Sequence, residues 1–394
     1  MKIGIDQMAA YVPHFALPMT TLAEARQIDP MKFKLGIGQD VMAVQPVTED
    51  SVTMAANAVQ RLFDHATDED MKRLSRIRTV VFATESGVDH SKAGGVFLAD
   101  LFNFERNTRF VEMKQACYSA TAGLQFAYGE VLRHPNESVL VIASDSAKYG
   151  LNTPGEPTQG AGSIAMLVTA EPRIAALSNE RAVYSENIPD FWRPLADKYP
   201  RVDGKFSNEA YIKFFNQVTS QYFMDQQVNW GDFAAICTHI PYTKMGKKAL
   251  LQALNGENEE VQSRLMTQFE HSTQWSRLVG NLYTGSLYLG FFSLLSHSPE
   301  LKVGDRVGMF SYGSGAVAEF YTLELMPNYS KHIHKEDFER SLQSRYMLTI
   351  DEYEQIFNEE IPSGEGDYEV ISAFHNPAHI QIVGVTNHHR MYKK

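Results

Sequence analysis

The amino-acid sequence predicts an α/β protein built from two related halves, each with a central sheet covered by helices. Two segments echo each other: "QGAGSIAMLVT" at residues 159–169 and "YGSGAVAEFYT" at residues 312–322. Upstream of each lies a helix-like stretch rich in small residues, "ACYSATAGLQFAYGEVL" and "GNLYTGSLYLGFFSLL". The predicted strands "SVLVIAS" and "RVGMFSY" are nearly continuous apolar runs, a pattern typical of strands buried on both faces. Together these observations predict a layered fold with helices on both sides of each sheet.

A second pair of segments supports the duplication and sets the order of elements. Residues 77–102 and 232–254 each contain a hydrophobic strand, a polar loop and a helix. We therefore divide the chain into an N-terminal half, residues 1–170, and a C-terminal half, residues 171–394. Residues 171–230 mix aromatic side chains with polar turns, and both a substrate-facing insertion and a surface elaboration fit this pattern. The terminal run "HIQIVGV" predicts a further strand.

Composition excludes several classes of protein. The chain has 394 residues, a formal net charge of −11 and only two cysteines. The negative charge argues against a nucleic-acid surface, and two thiols cannot form a disulfide framework or a four-cysteine metal site. The first residues lack the apolar segment of a signal peptide, and the longest apolar run, "SLYLGFFSLL", is too short to span a membrane. These features predict a cytoplasmic protein with no nucleic-acid or membrane partner.

Cys117 is a candidate nucleophile because of its position between predicted elements. It follows the strand-like run "TRFVEM" and precedes a predicted helix. A turn at such a junction exposes a side chain, and the amide groups and dipole at a helix N-terminus stabilise a thiolate. Small neighbours such as Ala116 and Ser119 would let other backbone approach an acyl group on the sulfur. A packed core thiol fits the same local pattern, so catalytic partners must decide between the two interpretations.

Two candidate partners stand at the ends of predicted strands. His239 ends the run "FAAICTHI", and ligands and catalytic groups collect at such strand ends in α/β proteins. Glu85 directly follows an apolar strand, where partial desolvation can raise a carboxyl pKa toward neutrality and suit it to general acid or base catalysis. A satisfied core histidine and a loop carboxylate are the alternatives. Cys237, inside the His239 strand, is predicted to be a core residue.

Other polar groups in the sequence are less specific. Lys244 and Lys248 lie four residues apart on one predicted helix face, which in an acidic chain suits a phosphate-bearing ligand, although a solvated helix face explains the same spacing. The histidine pairs His332/His334 and His388/His389 fall in polar stretches, and we predict no metal site. The segment "GSGAVA" matches a dinucleotide fingerprint, but strand-like residues follow it and the fingerprint is rejected.

The motifs "ATES", "EMKQACYSAT", "GEPTQGAG", "THIPYTKMGKKA", "VGNLYTGSLY" and "FSYGSGAVAEFY" resemble those of bacterial 3-hydroxy-3-methylglutaryl-CoA (HMG-CoA) synthases. They occur in the family's order over most of the chain. The resemblance implies the thiolase-like fold, in which two duplicated halves form a five-layered αβαβα arrangement. This agrees with the duplication inferred from the residues themselves.

The resemblance also assigns roles to individual residues. It implies that Cys117 is the nucleophile, Glu85 the general acid/base and His239 the active-site histidine. It implies substrate contacts by Asp29, Tyr149, Thr158, Ser207, Lys244, Lys248, Asn281 and Ser314, with the two lysines on the side of the CoA phosphates. Asp89, Asp145 and Asp190 match acidic positions near the family's site without an assigned role. The last sixty residues match poorly, and we expect no catalytic residue there.

The reaction implied by the resemblance condenses acetyl-CoA with acetoacetyl-CoA and water to give HMG-CoA and CoA through an acetyl-cysteine. It requires no metal or redox cofactor, and the family implies a homodimer. Three alternatives remain at this stage. A ketoacyl synthase of the same fold uses Cys, His and Asn but lacks a Glu at the position of Glu85. A papain-like hydrolase would fit Cys117 and His239 but not the duplication, and a non-catalytic thiolase-fold binding partner would have an unreactive thiol.

Overall fold

The computed structural model describes residues 1–394 and contains seventeen strands and twelve α-helices. The strands are β1 (Ile3–Tyr11), β2 (Phe15–Pro18), β3 (Val41–Val44), β4 (Ile77–Ala83), β5 (Arg109–Met113), β6 (Ser138–Ala147), β7 (Gly160–Ala170), β8 (Ala175–Ser185), β9 (Phe191–Trp192), β10 (Arg201–Val202), β11 (Ala235–Thr238), β12 (Arg306–Gly313), β13 (Val317–Leu325), β14 (Tyr346–Met347), β15 (Asp367–Glu369), β16 (Gln381–Thr386) and β17 (His389–Lys393). The helices are α1 (Met19–Ala25), α2 (Ser51–Asp64), α3 (Asp68–Leu74), α4 (Leu98–Leu101), α5 (Ser119–Arg133), α6 (Gly204–Gln226), α7 (Thr243–Ala253), α8 (Glu259–Thr273), α9 (Ser276–Val279), α10 (Ser286–His297), α11 (Lys335–Gln343) and α12 (Ile350–Asn358). No helix combines the length and the apolar character that a membrane span requires.

The central sheet shows the predicted duplication directly. Its nine strands run in the order β11-β12-β13-β8-β1-β7-β6-β4-β5. The set β4-β6-β7-β1 has one parallel pair followed by two antiparallel pairs, and the set β11-β12-β13-β8 has the same pattern. A short antiparallel contact, at Gly4↔Ala176 and Ile5↔Ala175, joins the two sets. The echoed segments at 159–169 and 312–322 fall on β7 and on the turn from β12 into β13.

Alternation along the strands of the central sheet produces three of the hydrophobic cores. In β4, Val81 and Ala83 belong to a central core that also contains apolar residues of α5 and α10, whereas Val80 and Phe82 face an outer core with α2. The second half repeats this arrangement, with a separate outer core against α6, α7 and α8. Both faces of each half-sheet are therefore buried, which explains the continuous apolar runs in the sequence. The layers have the five-layered αβαβα arrangement that the resemblance implies.

The C-terminal segment packs against the N-terminal half. Strand β14 pairs with β2, and α12 shares a core with α1 through Tyr353, Ile356 and Leu22. Strand β16 lies beside the start of α2, where the amide of Ile382 donates to the carbonyl of Thr48 over 2.8 Å. The last sixty residues are thus part of the folded core and not an appendage.

A buried carboxyl lies beneath this segment. Glu49 is fully buried and accepts a hydrogen bond from Asn376 Nδ2 over 2.9 Å, while its Oε2 atom has no partner. Burial raises the pKa of the Glu49 carboxyl to about 7, and the neighbouring Asp50 adds to this rise. The folded chain therefore holds this proton to a higher pH than the unfolded chain does.

We expect Glu49→Gln to increase the free energy of unfolding at pH 8 by about 2–3 kcal/mol. The folded state releases the Glu49 proton near pH 7 and the unfolded state near 4.5, so the native protein loses stability as the pH rises through this window. The Gln side chain does not ionise, so the variant does not lose this stability as the pH rises. Urea unfolding of both proteins at pH 5 and pH 8 tests this, because the difference between them must be clearly smaller at pH 5. An equal difference at both pH values would contradict the assignment.

Candidate active site

An open cleft of about 1490 Å³ lies between the two halves, and seven of the residues predicted from the sequence line it. These seven are Cys117, Tyr149, Thr158, Ser207, His239, Asn281 and Ser314. An eighth, Glu85, contacts Cys117 directly. The structure therefore gathers residues from both halves around one thiol.

Cys117 lies in the turn between β5 and α5, as predicted. The backbone before it is unusual, since Ala116 has a φ of +44°, a left-handed conformation that costs a non-glycine residue energy. The turn after β12 packs directly against it: a Cβ atom on Gly313 would lie 2.5 Å from the Gln115 carbonyl oxygen. Only glycine permits this approach. It brings Ser314 to the nucleophile turn, where the Gln115 side-chain amide donates to the Ser314 carbonyl over 3.3 Å.

The thiol of Cys117 donates a hydrogen bond to Glu85, with 3.2 Å between Sγ and Oε1. Burial raises the pKa of the Glu85 carboxyl to about 8, and the nearby Asp145 contributes. Burial also raises the pKa of the Cys117 thiol well above its usual value, and Glu85 raises it further. The raised pKa disagrees with the prediction that a helix N-terminus favours the resting thiolate: α5 begins at Ser119, burial is the largest cause of the rise, and nearby carboxyls add to it.

Asp145 joins the two loops that carry catalytic candidates. Its Oδ1 accepts hydrogen bonds from the Thr84 hydroxyl (2.8 Å), the Glu85 amide (2.9 Å) and the Ser86 amide (3.0 Å). Its Oδ2 accepts from the amide (3.1 Å) and hydroxyl (2.6 Å) of Thr284. Asp145 is completely buried, so these five donors replace the water that a carboxylate would otherwise bind. The sequence left its role unassigned, and the structure makes it the brace of the Glu85 turn.

His239 follows β11 and is 1% exposed, yet it lines the cleft. Both backbone groups of His239 form hydrogen bonds. The amide donates to the Phe310 carbonyl over 2.7 Å, and the carbonyl accepts from the Tyr211 hydroxyl. The ring Nδ1 has no partner within the protein. Burial lowers the pKa of His239 to about 3, so the ring is neutral at physiological pH. A neutral imidazole in this position can donate or accept one hydrogen bond toward a ligand.

Asn281 stands at the start of the turn before α10, at the position equivalent to Cys117 in the other half. Its Oδ1 accepts from the Tyr283 amide and the Ser286 hydroxyl, each over 2.9 Å, which fixes the orientation of the side chain. Its Nδ2 donates to the Tyr149 hydroxyl over 3.3 Å and keeps a second hydrogen for a ligand. The rings of Tyr149, Tyr283 and Phe191 meet edge to face at 6.0–6.2 Å and form one wall.

Asp190 holds the turn on which Ser314 lies. The Tyr312 hydroxyl donates to its Oδ2 over 2.7 Å, and the amide of Gly315 donates to its Oδ1 over 2.8 Å. Asp190 is fully buried and precedes β9. The residues flanking Ser314 are therefore tied to the inserted segment of the second half.

That inserted segment, residues 171–230, faces the cleft and is not a mere surface elaboration. Phe191, Pro200 and Ser207 are among its residues that line the cleft. Arg193 donates a hydrogen bond to the carbonyl oxygen of Glu85, so the segment also contacts the turn that carries Glu85. Of the two interpretations that the sequence left open, the substrate-facing one agrees with this placement.

Three predicted substrate-contact residues, and Asp89, lie away from the cleft lining. Lys248 is exposed and Lys244 is partly buried on α7, whose Met245 does line the cleft, and neither lysine forms an ion pair. Asp29 is exposed and accepts a hydrogen bond from the Met31 amide over 2.9 Å. Asp89 is exposed and caps its own loop through the amides of Ser91 and Lys92.

Several cleft residues were not predicted from the sequence. Tyr211, Tyr242 and Tyr312 line the cleft, and Arg193 touches the Glu85 turn. Tyr211 lies on α6 among aromatic residues that pack in the core. The spacing of aromatic residues along this helix does not distinguish Tyr211 from the others. Arg193 carries the only available signal, since a cationic residue inside the aromatic run "IPDFWRP" is unusual for a packed segment.

Comparisons with known proteins agree with this architecture. The family model described as hydroxymethylglutaryl-coenzyme A synthase N terminal matches residues 1–173, and the corresponding C-terminal model matches residues 175–271 and 258–362. A hydroxymethylglutaryl-CoA synthase from Enterococcus faecalis is 47% identical over 393 residues, covering 100% of both chains. A solved structure of HMG-CoA synthase complexed with CoA has a TM-score of 0.95, 40% identity and 100% coverage of both chains. The structure titled MvaS in complex with 3-hydroxy-3-methylglutaryl coenzyme A has a TM-score of 0.88 and 31% identity, covering 100% of this chain and 99% of that one.

At pH 8 we expect iodoacetamide to alkylate Cys117 several-fold faster in Glu85→Gln than in the unaltered protein. The Glu85 charge raises the pKa of the thiol, so its removal increases the fraction of thiolate, the reactive form. Mass spectrometry of the Cys117 peptide gives the rate. Cys237, fully buried in β11, is the internal control and should stay unlabelled in both proteins. An unchanged or slower rate in the variant would show that Glu85 does not govern this thiol.

Proposed function

Because the chain belongs to the hydroxymethylglutaryl-CoA synthase family, we propose that it condenses acetyl-CoA with acetoacetyl-CoA and water to form HMG-CoA and free CoA, a step of the mevalonate pathway to isoprenoid precursors. The observation that carries the proposal is the contact of Cys117 Sγ with Glu85 Oε1 at 3.2 Å. It lies in a cleft that also holds His239 and Asn281. A nucleophile beside a carboxyl of raised pKa is the arrangement that this reaction needs.

In the first step Cys117 becomes acetylated. Its thiol proton passes to Glu85, Sγ bonds to the carbonyl carbon of acetyl-CoA, and the bond from that carbon to the CoA sulfur breaks as Glu85 returns the proton to the departing CoA thiolate. One thioester replaces another, so little free energy is lost. We propose that the backbone amides of Cys117 and Ser314 donate to the carbonyl oxygen as it gains charge, since the Gly313 contact places their turns together.

In the second step Glu85 removes a proton from the methyl group of acetyl-Cys117. The resulting carbanion bonds to the ketone carbon of acetoacetyl-CoA, and Glu85 returns its proton to the new alkoxide. We propose that the neutral His239 ring and the free hydrogen of Asn281 Nδ2 position the ketone by hydrogen bonds. Water then hydrolyses the enzyme thioester, which releases HMG-CoA, regenerates the thiol and makes the sequence irreversible in practice. CoA thioesters enter as substrates, and the proposal includes no metal or redox cofactor.

We propose that Thr158, Ser207 and Tyr149 contact the acyl and pantetheine portions of the substrates, because they line the cleft. Lys244 and Lys248 suit the phosphates of CoA, since both lack an acidic partner in a chain of net charge −11. Asp29 is proposed as a lesser ligand contact.

We expect Lys248→Ala to raise the KM for the CoA thioesters several-fold while leaving kcat within about twofold, as loss of a charge-assisted contact remote from the chemistry predicts. Lys247→Ala is the matched control, because Lys247 on the same helix is paired with Glu270. Steady-state kinetics with each thioester in turn gives both constants. Equal KM values in the two variants would assign Lys248 to a solvated helix face.

The assembly and location are also proposals. Strand β5 is an outer strand of the central sheet, and its Phe110 and Val111 are partly buried. This edge could pair with a second copy of the chain, which supports a homodimer. Light scattering of the purified protein tests this. The free Cys117 thiol suits a reducing compartment, which supports a cytoplasmic location that cell fractionation tests. We place the boundary between the halves in the turn from β7 to β8, after residue 170.

Of the alternatives that the sequence left open, a ketoacyl synthase is not favoured, because Glu85 contacts the nucleophile directly. The duplicated sheet disagrees with a papain-like hydrolase. Incubation with labelled acetyl-CoA and mass spectrometry of the Cys117 peptide tests the proposal against a non-catalytic binding partner. Absence of an acetyl group on Cys117, together with absence of HMG-CoA formation, would overturn the proposed function.

Glu85→Ala should separate the two half-reactions. We expect the variant to be acetylated on Cys117, because removal of the neighbouring carboxyl lowers the pKa of the thiol. Carbon–carbon bond formation should be at least about 10²-fold slower, the usual effect of losing a general acid or base. Quench-flow measurement of acetyl-enzyme and HMG-CoA in the same samples gives both rates, with Cys117→Ala as the control that cannot be acetylated. Condensation at the original rate would mean that the base lies elsewhere.

A further inference from the structure

We infer that Tyr353, on helix α12 of the C-terminal segment, is a positioning residue for the active site: its hydroxyl orients Gln159, which in turn holds Tyr149 in the cleft. The inference rests on the proposed function. It concerns the part of the chain in which the sequence predicted no catalytic residue, and Tyr353 does not touch the cleft itself.

The connection consists of three consecutive hydrogen bonds. Gln159 Nε2 donates to the Tyr353 hydroxyl over 2.8 Å. Gln159 Oε1 accepts from the backbone amide of Tyr149 over 2.8 Å. The Tyr149 hydroxyl accepts from Asn281 Nδ2 over 3.3 Å. Each polar end of the Gln159 amide thus has one partner, and the hydroxyl of Tyr353 fixes which end faces Tyr149.

The main chain of Gln159 also contacts the turn that carries Asn281. A Cβ atom on Gly280 would lie 2.0 Å from the Gln159 carbonyl oxygen, and one on Gly160 would lie 2.6 Å from the Asn281 amide nitrogen. The two glycines allow these segments to touch along their main chains. Packing against the turn that carries Asn281 therefore fixes the main chain of Gln159, and the Tyr353 hydroxyl acts on its side chain.

Tyr353 is itself held rigidly. It is 1% exposed, and its hydroxyl donates to Glu156 Oε1 over 3.2 Å. Glu156 is paired with Arg26 through two bonds of 2.9 and 2.8 Å, and Arg26 also contacts Glu354 of α12 over 2.7 Å. Since Gln159 is also buried, loss of the hydroxyl would leave the Gln159 amide hydrogen without a partner. Reorientation of Gln159 is then the way to recover a hydrogen bond.

Tyr353→Phe tests the inference because it removes only the hydroxyl. We expect kcat for HMG-CoA formation, per acetylatable Cys117, to fall about three- to tenfold, the range for one lost buried hydrogen bond. Tyr346→Phe is the matched control. Tyr346 lies in the same segment, is exposed, and its hydroxyl bonds only Glu352, so kcat of this variant should not change.

A double-variant cycle separates positioning from general destabilisation. If Tyr353 acts through Tyr149, then Tyr353→Phe should have almost no further effect on kcat in a Tyr149→Ala background. Gln159→Leu should show the same dependence on Tyr149 and serves as the second variant if Tyr353→Phe does not fold. An unchanged kcat in Tyr353→Phe, or an equal loss in both backgrounds, would overturn the inference. An unaltered protein that forms no HMG-CoA would instead overturn the proposed function, so the two failures are distinguishable.

Discussion

The buried carboxylate of Asp145 is the interaction on which the geometry of the site depends. It binds the turn after β4 through one oxygen and the turn before α10 through the other. The first turn carries Glu85 and the second follows Asn281, so one side chain fixes the distance between groups from different halves. A buried charge is costly unless every lone pair is used, and five donors meet this demand. The same five donors restrict both turns to one conformation.

This brace has an electrostatic effect on the neighbouring residues. Asp145 adds to the rise in the pKa of both Glu85 and Cys117. These two groups therefore keep their protons to a higher pH than exposed groups would. A carboxyl that titrates near neutrality can accept a proton in one step and return it in the next. Burial lowers the pKa of His239 to about 3, so its ring is neutral where the Glu85 carboxyl titrates. In the proposed mechanism, the different surroundings of Glu85 and His239 therefore suit the first to proton transfer and the second to hydrogen bonding.

The sequence predicted the fold and the central residues because their signals are local or repeated. Apolar runs, the echo of two segments and the positions of Glu85, Cys117 and His239 at strand ends can all be read along the chain. The pKa of Cys117 could not, because it depends on carboxyls that arrive from distant segments. The link from Tyr353 to Gln159 spans 194 residues, and no pattern near either residue indicates it. Single polar residues inside buried elements, such as Tyr211, look like core residues until their neighbours are known.

The nucleophile turn and its counterpart show what the duplication makes available. Ala116 before Cys117 has a φ of +44°, and Gly280 before Asn281 has a φ of +91°, so both copies bend left-handed just ahead of the functional side chain. In an assembly of two identical chains, any substitution in this turn would occur twice. Because both copies belong to one polypeptide, each can vary alone. In the proposed mechanism, one copy carries the thiol that forms a covalent bond, and the other carries an amide that forms hydrogen bonds. The internal symmetry of the backbone thus supports an asymmetric division of labour between its side chains.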